Sequence, residues 1–143
     1  MPYLNLPPPQ AKELLDAGDG WIYIDVRTEA EFAAGHPAGA RNIPIATGQP
    51  PNLVMNPEFL AVVKANFKKD AKLLFGCASG ARSARACEVA ANAGYLALAN
   101  LTGGFHGART MLGTTEKGWA ACGLPTATAA EPGHSYDALR RNV

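Results

Sequence analysis

Residues 75–83, Phe75-Gly76-Cys77-Ala78-Ser79-Gly80-Ala81-Arg82-Ser83, constrain this chain more than any other stretch. An apolar run, Lys72 to Phe75, stops at Gly76, a cysteine follows, and beyond four small residues a helical pattern begins at Arg82. The order reads as strand, tight loop, helix. Ala78, Ser79, Gly80 and Ala81 have little side chain to keep backbone N–H groups from turning inward. A loop of inward N–H groups capped by a helix N-terminus favours negative charge. Cys77 sits at its centre, where that field favours thiolate over thiol. The residues therefore predict a nucleophilic cysteine.

The rest of the chain fits a parallel sheet around that loop. Trp21 to Val26 is a nearly unbroken apolar run of strand length, as expected for a strand covered on both faces. Helices are predicted at Gln10 to Ala17, from Thr28 with capping-box spacing to Glu31, behind Asn56-Pro57, and from Arg82 to Ala93. Asn42 to Ile45 and Tyr95 to Leu101 read as further strands. Thr47 to Asn52 reads as a polar connection, and Trp119 to Cys122 as a short helix stopped by Gly123 and Pro125. In the Arg82 helix, Ser83, Ala86, Cys87 and Ala90 share one face, so Cys87 is expected to be a buried small hydrophobe. Asp25 and Arg27 are expected to pair at a strand end, and His36 to brace a loop.

Composition narrows the function classes. At 143 residues the chain is expected to form one domain, residues 1–128, with a C-terminal tail over 129–143. A net charge of +1 gives no case for nucleic acid. No apolar run approaches membrane-spanning length, and Met1 to Asn5 shows no signal-peptide pattern. The three cysteines are too few and odd in number for a disulfide framework, so a reducing, cytoplasmic setting is expected. Neither the three cysteines nor the three histidines have metal-ligand spacing, so no metal and no cofactor is expected.

Three segments together carry a resemblance. Asp25-Val26-Arg27 with Glu31-Phe32 and Gly35-His36-Pro37-Ala38-Gly39-Ala40-Arg41-Asn42-Ile43-Pro44 is similar to the first signature of rhodanese-like domains. Gly76 to Ser83 is similar to their active loop, and Leu101-Thr102-Gly103-Gly104 with Trp119 to Pro125 to their closing segment. The match spans roughly residues 3–125 and most resembles single-domain thiosulfate sulfurtransferases. It implies an α/β fold with a parallel five-stranded sheet and helices on both faces. It also implies Cys77 as catalytic residue, with Ala78, Ser79, Gly80, Ala81, Arg82 and Ser83 binding substrate. Cys77 would take the outer sulfur of thiosulfate as a persulfide and pass it to cyanide or a thiol, including a thiol protein such as thioredoxin.

Two other readings stand beside it. One is a persulfide carrier or redox-sensing module acting with a protein partner. The other, a cysteine phosphatase or arsenate reductase, ranks lower because those loops place five residues between cysteine and arginine. Here four intervene between Cys77 and Arg82. Glu31 matches the signature glutamate and is expected to brace the loop. Fourteen residues separate Gly104 from Trp119, more than in compact relatives. This insertion, read as irregular loop, is expected at the mouth of the Cys77 loop as a lid or acceptor-selecting wall, with His106 and Arg109 as its polar contributors.

Overall fold

A computed structural model describes residues 2–143. Five parallel strands form the central sheet: β1 (Leu4–Leu6), β2 (Ile22–Asp25), β4 (Arg41–Asn42), β7 (Lys72–Gly76) and β8 (Ala97–Leu101), in the order β1-β8-β7-β2-β4. The helices are α1 (Pro8–Asp16), α2 (Glu29–Ala34), α3 (Phe59–Asn66), α4 (Ala81–Asn92) and α5 (Tyr136–Arg140). Alternation along the strands divides the core in two. Ile24, Leu73 and Phe75 face one side with Val62 and Val63 of α3, Ala86 and Ala90 of α4, and Leu139 of α5. Tyr23, Leu74, Ala99 and Leu101 face the other with Ala11 of α1, Phe32 of α2 and Trp119. Both faces are covered, as the apolar runs require.

The strand order places the cysteine. From β2 the chain moves outward to β4, whereas from β7 it moves the opposite way to β8. The carboxyl ends of β2 and β7, where Asp25 pairs with Gly76, are therefore a topological switch point. The Cys77 loop leaves β7 there.

Several expectations change. Leu4–Leu6, unassigned from sequence, is an edge strand paired with β8. Of Asn42 to Ile45, only Asn42, with Arg41 before it, is in the regular ladder, although Ile43 and Ile45 still donate to the Asp25 and Val26 carbonyls at 3.0 and 3.1 Å; Pro44 sits where its missing N–H would face away from β2. The polar connection after it is a hairpin, β5 (Ala46–Gln49) with β6 (Asn52–Met55). Asn56 accepts from the Glu58 amide at 3.1 Å, but it opens a turn and α3 starts only at Phe59. The insertion is not irregular either: β9 (Ala108–Arg109) pairs antiparallel with β10 (Thr115–Glu116). Trp119 to Cys122 forms turns rather than a helix.

Residues 129–143, expected as a C-terminal tail, include α5, which packs on the domain. Just before them, β11 (Thr126–Ala127) pairs with β3 (His36–Pro37), and α5 buries Tyr136 and Leu139 in the first core. Asn56 Nδ2 donates to Tyr136 Oη at 3.0 Å and Asn66 Nδ2 to the Leu139 carbonyl at 2.9 Å. The packing thus runs past residue 128. No helix among the described residues is long and apolar enough to cross a membrane.

Candidate active site

Cys77 lies at the end of β7, 1% exposed, below the first turn of α4. Gly80, at φ 111°, takes the left-handed conformation that lets the chain turn from loop into helix. Its N–H donates to Cys77 Sγ at 3.1 Å. Ser83 Oγ stands 3.3 Å from the same sulfur. Among the described residues, Gly80 supplies the one backbone amide bonded to Sγ. The amides of Ala78, Ser79, Ala81 and Arg82 hold no bond to it, so the full ring of donors is not closed around the bare sulfur.

Ser83 belongs to a buried polar chain. Its hydroxyl donates to Asn100 Oδ1 at 2.5 Å, and Asn100 Nδ2 donates to Asn5 Oδ1 at 3.1 Å. Asn100 thus turns its amide oxygen to Ser83 and its amide nitrogen to Asn5. Sequence reading missed both asparagines. Their signal was weak: single polar residues inside strand-like segments, at Asn5 of β1 and Asn100 of β8.

The loop is clamped from two sides. On one, Arg82 Nη1 and Nη2 donate to Glu31 Oε1 and Oε2 at 2.7 and 3.0 Å. Glu31 also accepts from the Thr28 amide at 3.1 Å, completing the predicted capping box of α2. Burial raises the Glu31 pKa, but the Arg82 guanidinium and Thr28 outweigh it and bring the carboxyl down to about 2. The same pairing raises the Arg82 pKa. Arg82 is therefore engaged as a brace, as is Glu31. On the other side, the Phe105 amide donates to the Cys77 carbonyl at 2.7 Å and the His106 amide to the Ala78 carbonyl at 2.9 Å. Gly104 permits this approach: a Cβ there would meet Ala78 backbone atoms at 2.5 Å.

Neighbouring residues behave as expected from sequence. Asp25 and Arg27 form a buried bidentate pair, Nη2 to Oδ2 at 2.8 Å, and Arg27 also donates to the Gly35 carbonyl at 2.7 Å. His36 bonds the Phe32 carbonyl through Nδ1 at 2.7 Å and stacks on the Phe32 ring. Burial pushes the Cys87 thiol up to about 12, with Glu88 and Cys77 adding to it, which leaves Cys87 a packing residue at neutral pH. Of the insertion residues, His106 lines a cleft of 130 Å³ with Arg27, Glu31, Ala34, Gly35 and Phe105, while Arg109 is exposed on β9.

The site is thus a buried cysteine at a parallel-sheet switch point, with a helix N-terminus over it and an arginine-glutamate clamp beside it. The family model for the rhodanese-like domain matches residues 7–110, and the chain belongs to that family. Thiosulfate sulfurtransferase 16, chloroplastic, of Arabidopsis thaliana is 35% identical over 116 residues, covering 81% of this chain and 86% of that protein. Rhodanese-like domain-containing protein 15, chloroplastic, of the same plant is 38% identical over 101 residues, 71% of this chain, and the chain spans 54% of that protein's length. Among solved structures, Rv0390 from M. tuberculosis aligns with a TM-score of 0.74 at 32% identity, over 89% of this chain and 99% of that one.

Proposed function

We propose that the protein is a sulfurtransferase that moves a sulfane sulfur from thiosulfate, or a similar donor, to a thiophilic acceptor through a persulfide on Cys77. The Cys77 thiolate attacks the outer sulfur of thiosulfate. The S–S bond of the donor breaks, sulfite leaves with the electron pair, and Cys77–S–S⁻ remains. Cyanide or a thiolate then attacks the outer sulfur, the Cys77 S–S bond breaks, and the thiolate is restored. Two half-reactions through a covalent intermediate give ping-pong kinetics.

The observation that carries this reading is the contact of Cys77 Sγ with the Gly80 amide at 3.1 Å, at the head of a twelve-residue helix. The amides of Ala78, Ser79, Ala81 and Arg82, unbound to Sγ, are the donors for the outer sulfur of the persulfide. Ser83 completes the pocket, and Arg82 keeps the loop closed through Glu31. The four-residue spacing from Cys77 to Arg82 suits one added sulfur better than a tetrahedral phosphate. Names of relatives such as Thiosulfate sulfurtransferase 16 support thiosulfate as the donor.

A second reading is a carrier that unloads only on a partner protein. Mass spectrometry of the intact protein after thiosulfate tests both. One added sulfur, mapped to the Cys77 peptide and absent in Cys77→Ser, is expected. Steady thiosulfate:cyanide turnover marks a free-standing enzyme, and a single loading that stalls marks a carrier. Phosphate-ester turnover without sulfur uptake overturns the proposal.

A further inference from the structure

One side chain of the central sheet is not explained by packing. β8 reads Ala97-Leu98-Ala99-Asn100-Leu101, and Asn100 is its one polar residue, 5% exposed. Leu98 faces the first core and Ala99 and Leu101 the second, so alternation turns Asn100 to the first side, where it meets Ser83 of α4. An apolar residue would fill that position without the cost of burying an amide. Asn100 instead lies between Ser83 and Asn5, its strand partner on β1, with both ends of its amide bonded. A buried polar residue that breaks the local pattern is expected at a functional site.

Asn100 acts on the proton of Ser83. A serine hydroxyl has one proton and two lone pairs. At 2.5 Å from Asn100 Oδ1, that proton is held away from Cys77 Sγ, which stands 3.3 Å from Ser83 Oγ. A neutral thiol loses nothing by this, since it can donate to a lone pair of the hydroxyl. A thiolate loses a charge-assisted hydrogen bond, unless the hydroxyl turns to it and strands Asn100 Oδ1 in the interior. The loaded cysteine differs again. In Cys77–S–S⁻ the charge sits on the outer sulfur, and the inner sulfur beside Ser83 is neutral. Asn100 therefore weighs against one state of Cys77 only, the free thiolate.

We propose that Asn100 is a positioning residue of the reaction: by holding the Ser83 proton, it disfavours the free Cys77 thiolate against both the thiol and the persulfide. A thiolate left with fewer donors is the stronger nucleophile and the poorer leaving group. Asn100 thus keeps Cys77 reactive toward the donor and helps it to retain the sulfur once loaded. The persulfide half rests on the sulfurtransferase reading of Cys77. The ionisable groups about Cys77 are Tyr23 and the Asp25–Arg27 pair on the β2 side, Arg82 with Glu31, Cys87 of α4, His106 past Gly104, and Tyr136 of α5. β8 brings none, and α3 turns only Phe59, Val62 and Val63 inward. All these groups are common to the wild type and the variants that test Asn100, so a difference between two pH profiles excludes them.

The test follows alkylation of Cys77 by iodoacetamide against pH, read from the mass of the Cys77 peptide so that Cys87 and Cys122 do not count. Asn100→Ala should lower the midpoint of the profile by about one pH unit. Below the midpoint the larger thiolate fraction is partly offset by weaker nucleophilicity, which leaves alkylation about threefold faster. Asn100→Leu has the branched outline of the amide and no acceptor. It should do the same, and it serves where the alanine variant does not fold. Asn100→Asp keeps an acceptor for Ser83 and should not lower the midpoint. In a Ser83→Ala background the shift from Asn100→Ala should vanish, because no proton is left to hold. An unchanged midpoint without the acceptor, a lowered one in Asn100→Asp, or the same shift with and without Ser83 overturns the proposal. The persulfide half is read above the midpoint, in thiosulfate and sulfite at a fixed ratio. There sulfite attacks the outer sulfur, the Cys77 S–S bond breaks, and the electron pair returns to Cys77. The ratio of loaded to free chain, by intact mass, should be about tenfold lower in Asn100→Ala. An equal ratio overturns the proposal. A wild-type chain that takes up no sulfur overturns the sulfurtransferase reading instead, and the alkylation profiles still decide the role of Asn100.

Discussion

Arg82 grips Glu31 through two parallel N–H···O bonds, 2.7 and 3.0 Å long, across 51 residues of chain. The pair joins α2, which follows β2, to α4, which follows β7. It therefore spans the switch point at which Cys77 lies. Fork-to-fork pairing fixes orientation as well as distance. A lysine at 82 would keep the charge and lose that register.

This pair predicts an acid-sensitive contribution to stability. The Glu31 carboxyl titrates near 4.5 when unfolded and at about 2 in the fold. As pH falls, the unfolded chain takes up the proton first. The stabilisation is thus complete above about pH 4.5 and is lost as the pH drops toward about 2. Because water reaches part of the pair, the contribution is about 1–2 kcal/mol. Urea unfolding of Glu31→Gln at pH 7 should show that loss, and the gap from wild type should close in the pH 2–4 range. A gap that stays constant with pH would mean that the charge is not what matters.

Ser83 has one proton and three acceptors in reach: Asn100 Oδ1 at 2.5 Å, the Gly80 carbonyl at 3.2 Å and Cys77 Sγ at 3.3 Å. The short contact shows where the proton rests. Toward the sulfur, Ser83 then presents a lone pair that accepts from the thiol. Once the thiol ionises, the hydroxyl can turn its proton to the sulfur and leave Asn100. Ser83→Ala removes that donor and also strands Asn100 Oδ1, at a cost of about 1–2 kcal/mol. Alkylation of Cys77 by iodoacetamide should slow several-fold, with the urea midpoint lowered. Unchanged alkylation would detach Ser83 from the chemistry.

Elements long enough to carry a pattern were legible in the sequence. β2, β7 and α4 each bury a face set by their own residue order, and the small residues of 78–81 announced the loop. What escaped was short or decided elsewhere. β1 is three residues at a sheet edge, with Leu4 half exposed, so no alternation marks it. β9 and β10 have two residues each and form only because Gly107 and Gly118 allow the backbones to meet. The link from Ser83 to Asn100 to Asn5 spans 95 residues at its longest step, which no local pattern encodes. α5 holds Tyr136 and Leu139 against α3, yet it is five residues behind a Pro-Gly turn and reads as a frayed end.

Gly76 is a packing requirement rather than a hinge. A Cβ at 76 would lie 1.8 Å from Tyr23 Oη and 2.4 Å from Tyr23 Cζ. Tyr23 is 5% exposed and edge-on to Trp119 at 5.7 Å, so it has nowhere to retreat. Gly76→Ala should cost about 3 kcal/mol, at the upper end for overpacking. Tyr23→Phe removes the hydroxyl but not Cζ. The double variant should therefore recover part of the loss, and urea midpoints of the four proteins measure the coupling. Additive losses would rule out the clash as the cause.

The C-terminal segment gives the sharpest test of where the folding unit stops. Leu139, 4% exposed, packs in the same core cluster as Val63, Phe75 and Cys77. Leu139→Ala should cost about 2–4 kcal/mol, as for other buried leucines. Tyr136→Phe leaves Asn56 Nδ2 with only its bond to the Pro44 carbonyl, at 2.9 Å, and should cost about 1 kcal/mol. Removing residues 129–143 takes away both side chains and the Asn66 bond to the Leu139 carbonyl, so its loss should exceed either substitution. Because Cys87 shares that core, its alkylation should rise in the shortened chain as the first core opens. A shortened chain with the full-length urea midpoint and a still-protected Cys87 would return the boundary to residue 128.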